Sequence, residues 1–119
     1  MWLPLIGLLI GLIIGSIFAI TIPVEYTRYT ALAILASLDS VLGALRADME
    51  GKYDNLVFVS GFLTNGLLAA LLTLLGDRLG VELHYAAIVA FGVRLFNNLA
   101  VVRRLLLTRA RTWWKGQSR

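Results

Sequence analysis

The sequence predicts an all-α integral membrane protein, a four-helix bundle with a basic cytoplasmic tail. Three observations predict it. Hydrophobic residues make up 59% of the 119 and charged residues only 15%, whereas soluble domains run near half apolar and a quarter charged. A soluble chain this short has too little interior to hide so much apolar surface. The apolar residues are also gathered into runs of membrane length, with most charges in the gaps between them.

The first run, residues 2–22 (WLPLIGLLIGLIIGSIFAITI), carries no charge. At about 1.5 Å per residue it covers a hydrocarbon core of about 30 Å. It lacks the positive start and small-residue cleavage site of a signal peptide, so a retained helix closed by Pro23 is expected. Residues 29–45 are a weaker span, short and interrupted by Asp39. Residues 56–75 (LVFVSGFLTNGLLAALLTLL) form a second strong span, ended by Gly76-Asp77. Residues 85–102 contain Arg94, Asn97 and Asn98 and stop at Arg103-Arg104. These runs are too long and too continuously apolar for barrel strands. They define a membrane domain over residues 1–107, overlapped and followed by an interfacial tail over 103–119.

Four spans place both ends of the chain and the 46–55 loop on one side. That side holds eight Lys and Arg, the other two, with Arg94 inside a span. The bias predicts both termini in the cytoplasm. A three-span alternative, with residues 29–45 lying in the interface, moves the N-terminus outside.

The net charge of +4 comes from 11 basic and 7 acidic residues. Six of the basic residues and no acid fall in the tail, so the rest of the chain is slightly acidic. Each basic residue near an anionic leaflet contributes about 1 kcal/mol. Arg103, Arg104, Arg109, Arg111 and Lys115 are therefore expected against the cytoplasmic leaflet, with Trp113 and Trp114 at headgroup level. No nucleic-acid recognition motif accompanies the charges, and no nucleic acid is expected.

Absent residue types narrow the chemistry. There is no cysteine, and His84 is the single histidine. That removes disulfides, thiol catalysis and Cys- or His-based metal sites within one chain. No nucleophile pattern surrounds the serines. Neither an enzyme nor a metal or other cofactor is expected. Asp48, Glu50 and Asp54 are expected to be solvated and to pair with Arg103 and Arg104. Asp77, Arg78, Glu82 and His84 fall in the opposite loop as exposed polar groups.

Two constellations remain. Gly7, Gly11, Gly15 and Ala19 repeat every four residues, a groove of small residues along one helix face. Lipid offers helices no hydrophobic incentive to associate, so close approach through small residues is how they pack. The groove fits either the chain's own second helix, through Ala33, Ala36, Ser37, Ser40, Gly43 and Ala44, or a homo-oligomeric seam. The second constellation is polar. Asp39 lies about 10 Å from its helix end and Arg94 about 14 Å, with Asn65 at a similar level. An ionisable group at that depth costs roughly 2.5 kcal/mol or more unless paired. An Asp39–Arg94 ion pair is expected, with Asn65, Asn97 or Asn98 completing its hydrogen bonds. The layer reads either as a clasp fixing helix register or as a conduction or coupling site.

The segments WLPLIGLLIGLIIG, TIPVEYTRYTALAILASLDSVLGALRADMEGKYDN and FGVRLFNNLAVVRR resemble the bacterial small basic protein family. The resemblance runs over about residues 1–107, and the blocks at 36–55 and 91–104 are distinctive in residue and spacing. It implies a multi-pass protein of a bacterial cytoplasmic membrane whose molecular function is unknown. Genes of that family tend to lie beside division and envelope genes, which implies an envelope or division partner. It implies no catalytic or binding residue. The function expected is a non-enzymatic, self-associating assembly or scaffold component. The alternative is a small oligomeric ion or proton channel or transporter lined by the intramembrane polar residues.

Overall fold

A computed structural model describes residues 1–18 and 21–118. It consists of four helices, α1 (Trp2–Phe18), α2 (Thr27–Met49), α3 (Asn55–Leu79) and α4 (His84–Gln117), with a short 3-10 turn at Val24–Tyr26 before α2. No strand occurs among the described residues. Three segments, Val24–Met49, Asn55–Leu79 and His84–Gln117, are long and apolar enough to cross a membrane. α1 is equally apolar, but its 17 described residues fall just short of that length.

Local chemistry sets the boundaries. Pro4 sits in the first turn of α1, where its missing N–H is no loss. α2 is longer than the 29–45 run read from hydropathy, because Arg46 and its neighbours are good helix formers despite their polarity. It ends where Gly51 takes a left-handed φ of 73°. Asp54 starts α3 by accepting hydrogen bonds from the Leu56 and Val57 amides at 2.8 and 3.1 Å. Gly80, at φ 69°, closes α3 in the left-handed conformation that suits glycine. Gly76, one turn earlier, is packed under the returning chain. A Cβ there would collide with the Val81 carbonyl and stand 3.0 Å from the Leu83 nitrogen.

α2 is the central helix. Arg28 and Tyr29 at its start meet Asp77 at the end of α3, and Arg28 meets Glu82 just before α4. At its other end Arg46 meets Asn98 of α4. α2 and α4 are thus parallel, and α3 runs back between them in sequence. Leu32 and Ala36 of α2, Ala69 of α3, and Ala87 and Phe91 of α4 form the buried core. Alanines allow the close approach, and Phe91 fills the space between the helices.

α1 stands apart. Pro4 is its one buried residue among those described. A side chain added at Gly7, Gly11 or Gly15 would meet nothing within 4 Å. Intramolecular zipping of this groove onto α2 is therefore not the arrangement adopted. Three small residues of α2 are spent elsewhere: Ala36 is in the core, Ala44 is buried, and Gly43 faces Asn98. A cleft of about 720 Å³ separates α1 from α2 and α3, lined by Gly7, Gly11, Ala33, Ser37, Ser40 and Phe62. Ala19, the last position of the repeat, lies outside the described residues.

α4 continues unbroken through Arg103-Arg104 to Gln117. At 34 residues it is about 50 Å long, which accounts for much of the 64 Å long axis of the molecule. The Arg109 guanidinium donates to the Met49 carbonyl at 3.2 Å. It thereby caps the C-terminus of α2, where unsatisfied carbonyls and the negative dipole end favour a cation.

Candidate functional site

The seam between α2 and α4 follows alternating steps of three and four residues. On α2 the positions are Leu32, Ala36, Asp39, Gly43 and Arg46; on α4 they are Ala87, Phe91, Arg94 and Asn98. Such heptad spacing keeps one face of each helix on its partner along the whole contact. The half of the seam nearer the 50–54 loop is polar.

Asp39 is fully buried, with 0% of its surface exposed. Its Oδ2 lies 3.4 Å from an Arg94 guanidinium nitrogen, and its Oδ1 accepts a long hydrogen bond of 3.5 Å from Asn98 Nδ2. Asn98 Oδ1 in turn accepts from Arg46 at 3.2 Å, and Arg46 Nε donates to Glu50 at 3.1 Å. The side-chain amide is suited to this relay because it carries a donor and an acceptor. Gly43 makes room for it: a Cβ there would stand 3.4 Å from Asn98 Nδ2. The result is a polar chain, Glu50–Arg46–Asn98–Asp39–Arg94, in which the neutral Asn98 amide bridges a cation to an anion.

A cavity of about 200 Å³ opens beside this chain, lined by Asp39, Arg94 and Asn65 and by Lys52, Tyr53 and Asp54 of the loop. Phe58 and Phe62 supply apolar wall. Asp39 Oδ2 and the Tyr53 hydroxyl are buried without a hydrogen-bond partner among the described residues. Both residues line this cavity. Burial, with Asp48 and Asp54 nearby, pushes the Tyr53 hydroxyl above the ordinary tyrosine range.

The structure thus brings together Asp39, Arg94 and Asn98, and places Asn65 in the same cavity. Asn97 is exposed on the flank of α4 and takes no part. Of the helix-packing candidates, Ser40 lines the cavity with Ala44. Arg103, Arg104, Arg109, Arg111, Trp113, Trp114 and Lys115 all lie on the exposed extension of α4. The expected pairing of loop acids with Arg103 and Arg104 is replaced by shorter-range partners. Glu50 takes Arg46, four residues away on the same helix, and Asp54 takes the free amides of α3. The opposite loop is also more organised than expected: Asp77 accepts from Arg28 at 3.1 Å and from Tyr29 at 3.2 Å, and His84 is buried. Arg46, Gly43 and Tyr53 are site residues that hydropathy alone does not mark. The heptad spacing, continued past Leu45, marks the first two.

The described residues form a small all-helical protein with three helices long and apolar enough to cross a membrane and a buried aspartate between two of them. The particular assignment comes from comparison. Residues 22–107 match the family described as "Protein of unknown function (DUF1290)". The chain is 55% identical over 109 residues to the "Small basic protein" of Bacillus subtilis, covering 92% of this chain and 90% of that one. Uncharacterized proteins of Mycobacterium bovis and Mycobacterium tuberculosis are 42% identical over 102 residues, covering 84% of each chain. The chain belongs to this family of small basic proteins, whose function is not characterised. No solved structure matches it.

Proposed function

We propose that the protein is a non-enzymatic assembly component of a bacterial cytoplasmic membrane, both termini inside, which associates with itself and with envelope or division proteins. The observation that carries this reading is the unoccupied small-residue face of α1. Gly7, Gly11 and Gly15 present open backbone, and the cleft beside them is apolar. In lipid such a face gains from a close-packed helix. The α2–α4 seam supplies a rigid frame for it, held in register by the Asp39–Arg94 layer. Arg46, Arg103 and Arg104 mark the cytoplasmic edge, and the bias of basic residues toward that side sets the orientation. The test is the mass of the protein in lipid nanodiscs. A wild-type oligomer that Gly11→Leu reduces, with helicity unchanged, supports the reading; an unchanged oligomer, or a wild-type monomer, removes α1 as the seam.

A small oligomeric channel or transporter for an ion or proton is the second reading, and the cavity reaching Asp39 and Arg94 is the observation in its favour. Flux in proteoliposomes that Arg94→Gln alters while the fold survives would establish it. Absence of flux across a panel of ions and pH values would eliminate it.

A further inference from the structure

The apolar surface of α4 does not end where its membrane-length segment does. Tyr85, Val89, Phe96 and Leu99 form an exposed face, and Leu106 and Trp113 continue it at heptad spacing beyond Arg103. In the extension that face centres on Ala110. Leu106 and Trp113 flank it on one side, Leu107 and Trp114 on the other. All four are exposed, from 50% for Leu107 to 70% for Trp114. Arg109 and Arg111, the immediate neighbours of Ala110, lie about 100° to either side. A small residue between two apolar rails, with a guanidinium outside each rail, is a trough of the width of a helix.

Lipid headgroups cover only the near end of this trough. With Arg103 at the hydrocarbon edge and α4 along the membrane normal, Leu106 and Leu107 stand about 5–6 Å farther along the axis, and Ala110, Trp113 and Trp114 about 10–17 Å. The headgroup layer is about 5–8 Å thick, so on this geometry Trp113 and Trp114 pass beyond the headgroup level expected from the sequence. α4 contains no proline that would bend it back, and Arg109 ties the extension to the end of α2. A second copy does not suit it either. Parallel pairing would set Arg109 and Arg111 against the same arginines, and Arg103 against Arg103. The extension has no acid of its own to relieve this.

We propose that the Leu106–Trp114 face of α4 is a docking site for an acidic amphipathic helix of a partner protein, apolar residues over Ala110 and carboxylates toward Arg109 and Arg111. This rests on the membrane-assembly reading and supplies the chemistry of the partner. Continuity with Phe96 and Leu99 lets the same partner run alongside α4 within the bilayer. Lengthwise complementarity of apolar seam and opposite flanking charge is how paired helices select one another.

The test uses the full chain carrying Trp2→Phe, so that Trp113 and Trp114 alone report, in nanodiscs of phosphatidylcholine. The probe is a synthetic helical peptide with Leu and Ala at the seam positions and Glu on both flanks. Expected are solvent-exposed tryptophan emission without peptide, a saturable blue shift with it, and at least tenfold weaker binding of two controls. These are a scrambled peptide of the same composition and one with Lys flanks. Arg111→Glu should lose tenfold in affinity for the Glu peptide and gain affinity for the Lys peptide. This reversal is one that misfolding does not produce. Equal binding of scrambled and ordered peptides overturns the proposal. So does tryptophan emission already blue-shifted, and quenched by brominated lipid, in phosphatidylglycerol nanodiscs. So does an oligomer that Trp113→Ser with Trp114→Ser dissolves. Oligomer mass of the Gly11→Leu protein, read separately, distinguishes failure of the docking face from failure of the assembly reading.

Discussion

Arg94→Gln and Asp39→Asn remove the same ion pair, yet the structure makes their costs unequal. Asp39 has 0% of its surface exposed, while 53% of the Arg94 side chain is exposed. Arg94→Gln leaves a buried carboxylate with one long hydrogen bond from Asn98. Stranding a charge in this way costs about 3–5 kcal/mol. Asp39→Asn keeps an acceptor for Asn98 and leaves the Arg94 guanidinium unpaired in the cavity it lines. An unpaired cation at that depth costs about 2.5 kcal/mol, less than the stranded carboxylate. The double variant should be milder than Arg94→Gln alone, giving a coupling of about 2 kcal/mol or more. Exchanging the charges, Asp39→Arg with Arg94→Asp, should rescue in part only, because the larger group then occupies the closed position. The assay is SDS-driven unfolding in mixed micelles followed by circular dichroism. Equal costs for the two single variants, or a coupling near zero, would refute the reasoning.

Gly76→Ala should destabilise by roughly 1–3 kcal/mol, since its methyl group meets the Val81 carbonyl and the Leu83 backbone at a turn that neither can leave. The same unfolding titration reads it. Asp54→Ala should cost about 1 kcal/mol by freeing the Leu56 and Val57 amides, with Asp54→Asn close to wild type. Tyr53 supplies a pH dependence. Its folded-state pKa lies above the ordinary tyrosine value of 10.0, so the folded chain keeps a proton that the unfolded chain surrenders. Stability is full below about pH 10 and falls as pH rises through the folded value. The difference in 295 nm absorbance between wild type and Tyr53→Phe isolates its ionisation from that of the other tyrosines, and the variant should lessen the alkaline loss.

Much of this architecture is legible in residue order. Hydropathy locates the cores of all four helices, and counting residues inward from Arg46 and Arg103 brings Asp39 and Arg94 within about 4 Å of the same depth. What escapes has physical causes. A hydropathy window closes α2 at Leu45, but polar residues with good helix propensity carry it on to Met49. Asp54 ahead of an apolar run is an N-cap signature that overrides any loop pairing for its carboxylate. Charge at Arg103-Arg104 ends a membrane run without ending a helix, since nothing in the following residues breaks one. The Gly7–Gly11–Gly15 repeat specifies close approach but carries no information about which helix approaches. Asn97 and Asn98 are adjacent in sequence and about 100° apart on the helix, so one reaches Asp39 and the other does not.

The parallel pairing of α2 with α4 also imposes an order in time. Asp39 emerges from the ribosome 59 residues ahead of Asn98. At about 5–20 residues per second, that interval is roughly 3–12 s. Throughout it the carboxylate has none of its α4 partners, and α3, which is made in between, offers it only Asn65. The burial of the second helix is therefore completed only when the fourth, made several seconds later, closes over it.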